Sequence, residues 1–222
     1  MPKLILPTLQ PKYIKIAKYI TLSIIVASFL SLIYYLYRLP LPQNIRVTNI
    51  NSYSLTISWL TSKPTWGCVT ASADDHKTRH CHYHQSLTHL IPLSDLQPQT
   101  TYTLKITNGL RSTQQILPQV TTPTLNQDQP PLPDPAYGSI KWLNTNQPIP
   151  NALIYISNPN QPTTTLVTLT NDLGNWSIDL SNLIPLDNYL AIEVVINPQL
   201  QTLNRFPTES HAPLPTLSIP NP

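Results

Sequence analysis

The side chains best suited to chemistry in this chain lie between positions 68 and 89, which hold both cysteines and five of the six histidines. Cys68 and Cys81 are predicted to lie on neighbouring antiparallel strands that reverse direction at Asp74 and Asp75, because aspartates favour turns. In an oxidising environment two thiols placed in this way would form a cross-strand disulfide. Two reduced, half-buried thiols are the alternative.

Four of the histidines, at positions 76, 80, 82 and 84, fall within nine residues. On a strand, His80, His82 and His84 would project from one face at steps of about 6.6–7 Å, and such a row could bind a transition metal. A structural metal site, however, needs about four converging ligands, usually from two elements. A solvated polar strand near a sheet edge is the competing interpretation. Metal binding through the His76–His84 segment therefore stays open as an alternative function.

The rest of the sequence contains no recognisable catalytic motif. Its four glycines, at positions 67, 109, 138 and 174, are too far apart to form a phosphate-binding loop. The acidic residues are scattered, since Asp172 falls in a predicted turn and Asp179 points outward from a predicted strand. We therefore expect no enzyme activity, no catalytic residue and no cofactor.

The composition favours short strands joined by loops over long helices. The chain of 222 residues has 25 prolines and 4 glycines, and 41% of its residues are hydrophobic, which is enough to form cores. The formal net charge of +3 is misleading, because all ten acidic residues but only eight basic ones follow position 38, which gives that part a charge of −2. A basic surface that could hold nucleic acid is therefore not expected.

Residues 19–37 form the apolar segment that positions the rest of the chain, and they contain no charged residue. A helix of this length spans roughly 28 Å, close to the hydrocarbon thickness of a lipid bilayer. The lysines before it and the scarcity of basic residues after it predict a cytoplasmic tail (1–18), a transmembrane helix (19–37) and extracytoplasmic domains. A cleaved signal peptide and a buried core helix are the alternatives.

Alternating apolar residues predict seven short strands, typical of a β-sandwich, between residues 42 and 123. The segments LTISWLTSKPTWGCVTAS and LSDLQPQTTYTLKI resemble a fibronectin type III domain, most closely the variety that precedes purple acid phosphatases. This resemblance implies that Trp59 is the buried core tryptophan. It also implies that Leu96, Pro98 and Tyr102 form the corner before the sixth strand. The family motif contains no catalytic residues, so it implies none here.

A proline-rich linker (124–135) is predicted to separate this domain from a second β-sandwich (136–198). Gly138 before Ile140, the stretch 148–152, and the run from Thr170 to Trp176 are similar to the pattern of carboxypeptidase regulatory-like and prealbumin-like modules. That resemblance implies a binding or spacing module without catalysis. Trp142 and Trp176 are expected in its core. Residues 199–222, rich in proline, are expected to form a mostly extended tail.

Together these patterns predict a mainly β protein with two tandem Ig-like β-sandwich domains after one N-terminal transmembrane helix. We expect a single-pass cell-membrane protein with a cytoplasmic N-terminus and extracytoplasmic C-terminal domains. Its partners would be the lipid bilayer, through residues 19–37, and an unknown surface protein or glycan. Its role would be recognition, adhesion or scaffolding at the cell surface. A minor structural subunit of a secretion or pilus-like envelope assembly, and a metal-binding protein, are the alternatives.

Overall fold

The computed structural model describes residues 11–37, 40–109, 111–112, 117–124, 132–159, 161–183, 189–198, 200–208 and 211–221. The chain divides into two compact units, Met1–Leu39 and Pro40–Pro222. The first unit contains the helix α1 (Pro11–Tyr37), and the second contains strands arranged in two β-sandwiches. The fold is therefore mainly β after one N-terminal apolar helix, as the sequence predicts.

Helix α1 is long and apolar enough between Ile16 and Tyr35 to cross a membrane. Thr21 donates its hydroxyl to the carbonyl of Ala17 at 2.9 Å, and Ser23 donates to Ile20 at 2.8 Å, so these polar groups are satisfied within the helix. None of the apolar window is buried, and the core-helix alternative is therefore wrong. The same observations fit either a membrane anchor or a signal sequence.

The first sandwich is formed by β1 (Gln43–Thr48), β2 (Leu55–Ser72), β3 (Lys77–Leu93), β4 (Thr101–Asn108), β5 (Arg111–Ser112) and β6 (Val120–Thr121). The first half of β2 lies between β1 and the second half of β3, whereas its second half lies between β4 and the first half of β3. The β2–β3 register shifts between Leu60 and Gly67. Each long strand thus contributes to both layers of the sandwich.

These two long strands correct the prediction of seven separate short strands. The chain remains extended through Lys63 and Pro64, where we expected a break between the second and third strands. The predicted fourth and fifth strands likewise form the single strand β3. A shift of register, rather than a turn, therefore carries the chain from one layer to the other.

The residues that the fibronectin resemblance assigned to the first core lie inside it. Trp59 and Tyr102 are fully buried, and Leu96 is 3% exposed. The Tyr102 hydroxyl accepts a hydrogen bond from the backbone N–H of Gln97 at 2.8 Å. This bond fixes the loop before β4 against the core, in the manner of the tyrosine corner of immunoglobulin-like sandwiches.

The second sandwich is formed by β7 (Pro135–Trp142), β8 (Leu153–Asn158), β9 (Gln161–Leu169), β10 (Asn175–Asp179), β11 (Tyr189–Asn197), β12 (Leu200–Pro207) and β13 (Leu217–Ile219). One layer has the order β10-β7-β13 and the other β12-β11-β8-β9. Ile140, Ile154, Trp176 and Ile192 are buried between the layers. Trp142 is only partly buried, against the same cluster.

The prediction of a mostly extended tail over residues 199–222 is wrong. Strand β12 pairs with β11 along its whole length, and β13 pairs in parallel with β7, opposite Ile140 and Trp142. Leu217 and Ile219 are buried in the core, so the second sandwich extends well beyond residue 198. The signal was weak because inward positions of β12 include the polar Thr202 and Asn204, which blur the apolar alternation.

The predicted linker falls mostly on residues 125–131, which lie outside the described residues. Its last residue, Pro135, already belongs to β7. The prediction of a spacer suggested separated modules, but both sandwiches belong to one compact unit and are in direct contact.

Candidate functional site

The histidine-rich part of the first sandwich is an edge strand. Among the described residues, the first half of β3 pairs only with β2, where His80 lies opposite Val69 and His82 opposite Gly67. His84 falls in the irregular stretch between the pairs Gly67–His82 and Thr65–Ser86. The rings of His82 and His84 meet edge to face, with centroids 5.5 Å apart, and both side chains are exposed.

The structure does not bring these histidines together with further ligands. His76 lies beyond the turn and bonds the carbonyl of Asp95 through its Nε2 atom at 2.8 Å. Across the described ranges, no group of three or more His, Cys, Asp or Glu side chains is arranged to hold a metal ion. His82 and His84 are thus exposed on this strand, whereas His80 is half-buried, and polar side chains of this kind suit an edge that resists pairing with other chains.

Cys68 and Cys81 form a disulfide in the structure. They lie directly opposite each other on β2 and β3, and Cys68 is 1% exposed. The chain reverses at Asp74 and Asp75, where the backbones of Ala73 and His76 exchange hydrogen bonds of 2.8 and 3.3 Å. The bond therefore holds the histidine strand against the centre of its sheet.

A fifth histidine, His89, has a role that sequence reasoning missed. It is fully buried and stacks on Trp59, with ring centroids 4.6 Å apart and planes inclined by 9°. Burial, and to a lesser extent the charge of His82, lower the pKa of His89 to about 4, so the ring is neutral at physiological pH. The sequence did indicate this burial, because His89 lies at the same side of the strand as the buried Ile91 and Leu93, two and four residues further on.

His89 belongs to a buried chain of hydrogen bonds. The hydroxyl of Thr65 donates to Oδ1 of Asn108 at 2.6 Å and lies 3.2 Å from Nε2 of His89. Because the hydroxyl has one hydrogen, Nε2 of His89 must carry the proton and donate to Thr65. The amide of Asn108 then donates to the carbonyl of Pro40 at 2.8 Å. The network thereby holds Pro40, the first residue of the second unit, against the interior of the first sandwich.

The contact between the two sandwiches is centred on an ion pair. Arg46 of β1 donates two hydrogen bonds of 2.6 Å to the carboxylate of Glu193 on β11. The guanidinium also lies 4.2 Å from the centroid of the Tyr155 ring, whose hydroxyl is 2.8 Å from that of Ser58. The hydrogen bonds that Arg46 donates to Glu193 raise the pKa of Arg46, which keeps the guanidinium charged.

Apolar and backbone contacts surround this pair. Leu60 of the first sandwich packs with a cluster from the second, formed by Leu153, Tyr155, Val167 and Val195. On the other side, the amide of Asn49 donates to the carbonyl of Val167 at 3.1 Å and accepts from its N–H at 2.7 Å. Asn49 thus pairs with β9 as another strand's backbone would, and the two sandwiches form one continuous body.

This interface was not predicted from the sequence, although the residue pattern of β8 indicated that the strand is covered on both faces. Strand β8 has buried residues on both faces, with Ile154 and Ile156 directed to its own core while Tyr155 lies in the interface cluster. A continuous apolar run of this kind indicates a strand that is covered on both sides. Arg46 and Glu193 gave no comparable signal, because single charges on polar faces are ordinary.

The chain matches no protein-family model and no curated protein. Among solved structures it is similar to the sensor domain of the anti-sigma factor RsgI4 in Pseudobacteroides cellulosolvens, with 17% identity over 39% of this chain and 97% of that one and a TM-score of 0.32. The FN1–FN3 domains of chicken CNTN1 are 12% identical over 81% of this chain and 67% of theirs, with a TM-score of 0.31. BcpA, the major pilin subunit of Bacillus cereus, is 11% identical over 81% and 70%, with a TM-score of 0.29.

At these identities the likeness concerns the fold alone. The strand pairing described above shows two β-sandwiches without reference to these neighbours.

Proposed function

We propose that this protein is a single-pass membrane protein that presents two β-sandwiches, joined as one rigid body, for recognition or scaffolding outside the membrane. The observation that carries the proposal is the interface between the sandwiches, in which the Arg46–Glu193 pair and the Leu60 cluster join the two domains. A rigid pair of domains presents a surface of fixed geometry, which suits binding because little ordering entropy is lost.

The proposed orientation follows from the charges that flank the helix. Lys12, Lys15 and Lys18 precede the apolar window and Arg38 follows it, so the N-terminus is assigned to the cytoplasm and Pro40–Pro222 to the outside. The disulfide is consistent with an oxidising outer compartment. The finer assignments belong to this proposal as well: a purple acid phosphatase-type fibronectin domain, a carboxypeptidase regulatory-like module and the absence of catalysis.

The orientation is tested by placing different epitope tags at the two ends of the full-length chain in its native membrane. We expect an external protease to remove the C-terminal tag from intact cells and to reach the N-terminal tag only after permeabilisation. Both tags should migrate on one band of a denaturing gel. A C-terminal tag that is protected in intact cells, or a mature chain that lacks the N-terminal tag, would contradict the anchored orientation.

The role of the sandwiches is tested by replacing residues 19–37 with an unrelated membrane anchor and then crosslinking partners in the membrane. If recognition lies in the sandwiches, the same partners should be crosslinked by both versions of the protein. Loss of all partners in the exchanged version would instead favour an assembly subunit whose helix makes the contacts.

A further inference from the structure

We propose that a groove on the second sandwich binds an uncharged saccharide chain, which names a ligand class for the proposed recognition function and rests on that function. The groove runs over β7 and its neighbours and has a volume of about 790 Å³. We call it the β7 groove, and its side chains used below are Tyr137, Ser139, Asn171, Asn175, Trp176 and Thr216. Its size falls within the range of roughly 300–1,000 Å³ that is usual for ligand sites.

The lining of the β7 groove is neutral. Among the described residues that form it, none is acidic, basic or a histidine, and the polar ones are hydroxyls and amides. A charged ligand would lose hydration there without an opposite charge to compensate, which is costly. Hydroxyl and amide groups, by contrast, match the alternating donors and acceptors of sugar hydroxyls.

One exposed aromatic ring stands in this neutral lining. Tyr137 is 44% exposed on β7, so it offers a flat apolar face together with a polar hydroxyl. Such a face can stack on the apolar C–H side of a pyranose ring, while neighbouring amides and hydroxyls bind its equatorial hydroxyls. The exposed side chain of Asn175, on the adjoining strand β10, is placed for the second task.

Internal hydrogen bonds hold the walls of the groove in place. The hydroxyls of Ser139 and Thr216 lie 2.8 Å apart and connect β7 to the segment before β13. Oδ1 of Asn171 accepts the backbone N–H groups of Leu173 and Asn175, both at 3.0 Å, which fixes the loop before β10. A site that is ordered before binding loses less entropy on binding.

The floor of the groove is closed to strand addition by a peptide. Strand β7 pairs with β10 on one side and with β13 on the other, so its own backbone has no free edge, although β10 and β13 lie at the ends of this sheet. Recognition at β7 must therefore come from side chains. Beneath them, Trp176 is 4% exposed and packs directly against Gly138, which keeps the floor rigid.

The test is isothermal titration of the full-length protein in a polyoxyethylene detergent, because sugar-based detergents would compete for the groove. The neutral probes are cellohexaose, xylohexaose, maltohexaose and the hexamer of N-acetylglucosamine, and the anionic probe is hexagalacturonate. We expect at least one neutral probe to bind with a Kd below about 1 mM, and hexagalacturonate to bind at least about tenfold more weakly.

Matched variants locate the binding site. Tyr137→Ala should weaken binding by at least about tenfold, and Tyr137→Phe, which keeps the ring, by less than about threefold. Asn175→Asp, which adds a charge without changing size, should weaken it by at least about threefold. The control Tyr189→Ala removes another exposed tyrosine of the same sandwich, on β11, and should leave binding unchanged. Thermal unfolding establishes that each variant is folded.

The proposal is overturned if no neutral probe binds at 1 mM, if hexagalacturonate binds as well as they do, or if Tyr137→Ala and Tyr189→Ala behave alike. Capture of an unstructured peptide that competes with the saccharide would also overturn it. These results are independent of the tag-accessibility experiment. If the protein is anchored as proposed but binds no saccharide, only the groove assignment is refuted. If it binds a saccharide but is not anchored, only the membrane proposal is refuted.

Discussion

Both sandwiches pack a tryptophan against a glycine, on the same strand β2 in the first and on the neighbouring strand in the second, but they differ in how tightly. A Cβ atom at Gly67 would lie 2.4 Å from Cζ2 of Trp59 and 3.0 Å from Nδ1 of His89, whereas one at Gly138 would lie 3.1 Å from Cζ2 of Trp176. The indole of Trp59 is also stacked on His89. The comparison shows that the same kind of packing can be either fixed or tolerant, depending on what else the indole ring contacts.

The two sandwiches also differ in how their layers are completed. In the first, neighbouring strands β2 and β3 are joined by the Cys68–Cys81 disulfide. The second, in its described residues, relies on noncovalent pairing of β13 with β7. The first sandwich should therefore lose more stability when its disulfide is reduced. The second should lose more stability when the packing of its edge strands is disturbed.

The largest effect is expected from removing the disulfide. Replacing Cys68 and Cys81 by alanine opens a loop with a sequence separation of 13, and should lower the free energy of unfolding by about 3 kcal/mol. Urea unfolding of residues 40–222 measures the loss, and reduction of the native protein should reproduce it. If neither treatment shifts the midpoint, the first sandwich does not depend on its crosslink, and this difference between the domains disappears.

Acid should act on the two sandwiches with opposite signs. His89 titrates at about 4 when folded and near 6.5 when unfolded, so between these values only the unfolded chain takes up the proton and stability falls as pH falls. The shift corresponds to a loss on the order of 3 kcal/mol.

In the second sandwich, hydrogen bonds to the Thr208 carbonyl and to Asp134 raise the pKa of His211. The stability that His211 contributes to the folded state is therefore present below pH 6.5 and is lost as the pH rises through the folded pKa.

Urea unfolding at pH 7.5 and 4.5 separates the two histidines. His89→Phe keeps a stacking ring without a titrating group and should lose most of the acid destabilisation, whereas His211→Ala should become more sensitive to acid than the native protein. His89→Phe with an unchanged acid response would show that the buried imidazole is not the cause.

The glycine pair offers the most direct comparison. Gly67→Ala should cost about 2 kcal/mol, because a Cβ atom 2.4 Å from Trp59 and 3.0 Å from His89 forces at least one of these rings to move. Gly138→Ala should cost less than about 1 kcal/mol, because contacts of 3.1–3.3 Å need only a small displacement of Trp176. Equal losses for the two variants in urea unfolding would mean that both indoles are held alike.

The smallest expected effect concerns the contact between the sandwiches. Glu193→Gln keeps the size of the side chain but removes the charge that pairs with Arg46, whose side chain is 29% exposed. We expect a loss of about 1 kcal/mol and a broader unfolding transition, since the two domains would unfold less cooperatively. Arg205→Gln, which changes an exposed arginine on β12, is the matched control. A transition as sharp as that of the native protein would mean that apolar contacts alone couple the domains.

Local signals made much of the first sandwich predictable. The turn at Asp74 and Asp75 set the register that brings Cys68 opposite Cys81, and Asn108 before Gly109 predicted the hairpin between β4 and β5, where Gly109 adopts a φ of 58°. These features depend on residues close in sequence. Alternation and turn residues report such features well.

Features that depend on distant partners could not be predicted in the same way. Strand β13 is recognisable only once β7 offers it an open edge, and His89 becomes a core residue only because Trp59 lies across it. Arg46 and Glu193 meet across 147 positions, and nothing near either one in sequence indicates the other. The β7 groove likewise draws its lining from several separate strands and loops, so no short motif could contain it.

The long β2–β3 hairpin also bears on the order in which the protein folds. Its first pair, Ser72 with Lys77, closes a turn of a few residues, and the remaining pairs can then form one after another. The β7–β13 ladder must instead join segments as distant as Ser139 and Thr216, which are 77 positions apart. Because loop-closure entropy grows with separation, we expect the hairpin to form early and β13 to dock late. Docking of this last strand would then also bring the segment before it, with Thr216, into the wall of the β7 groove.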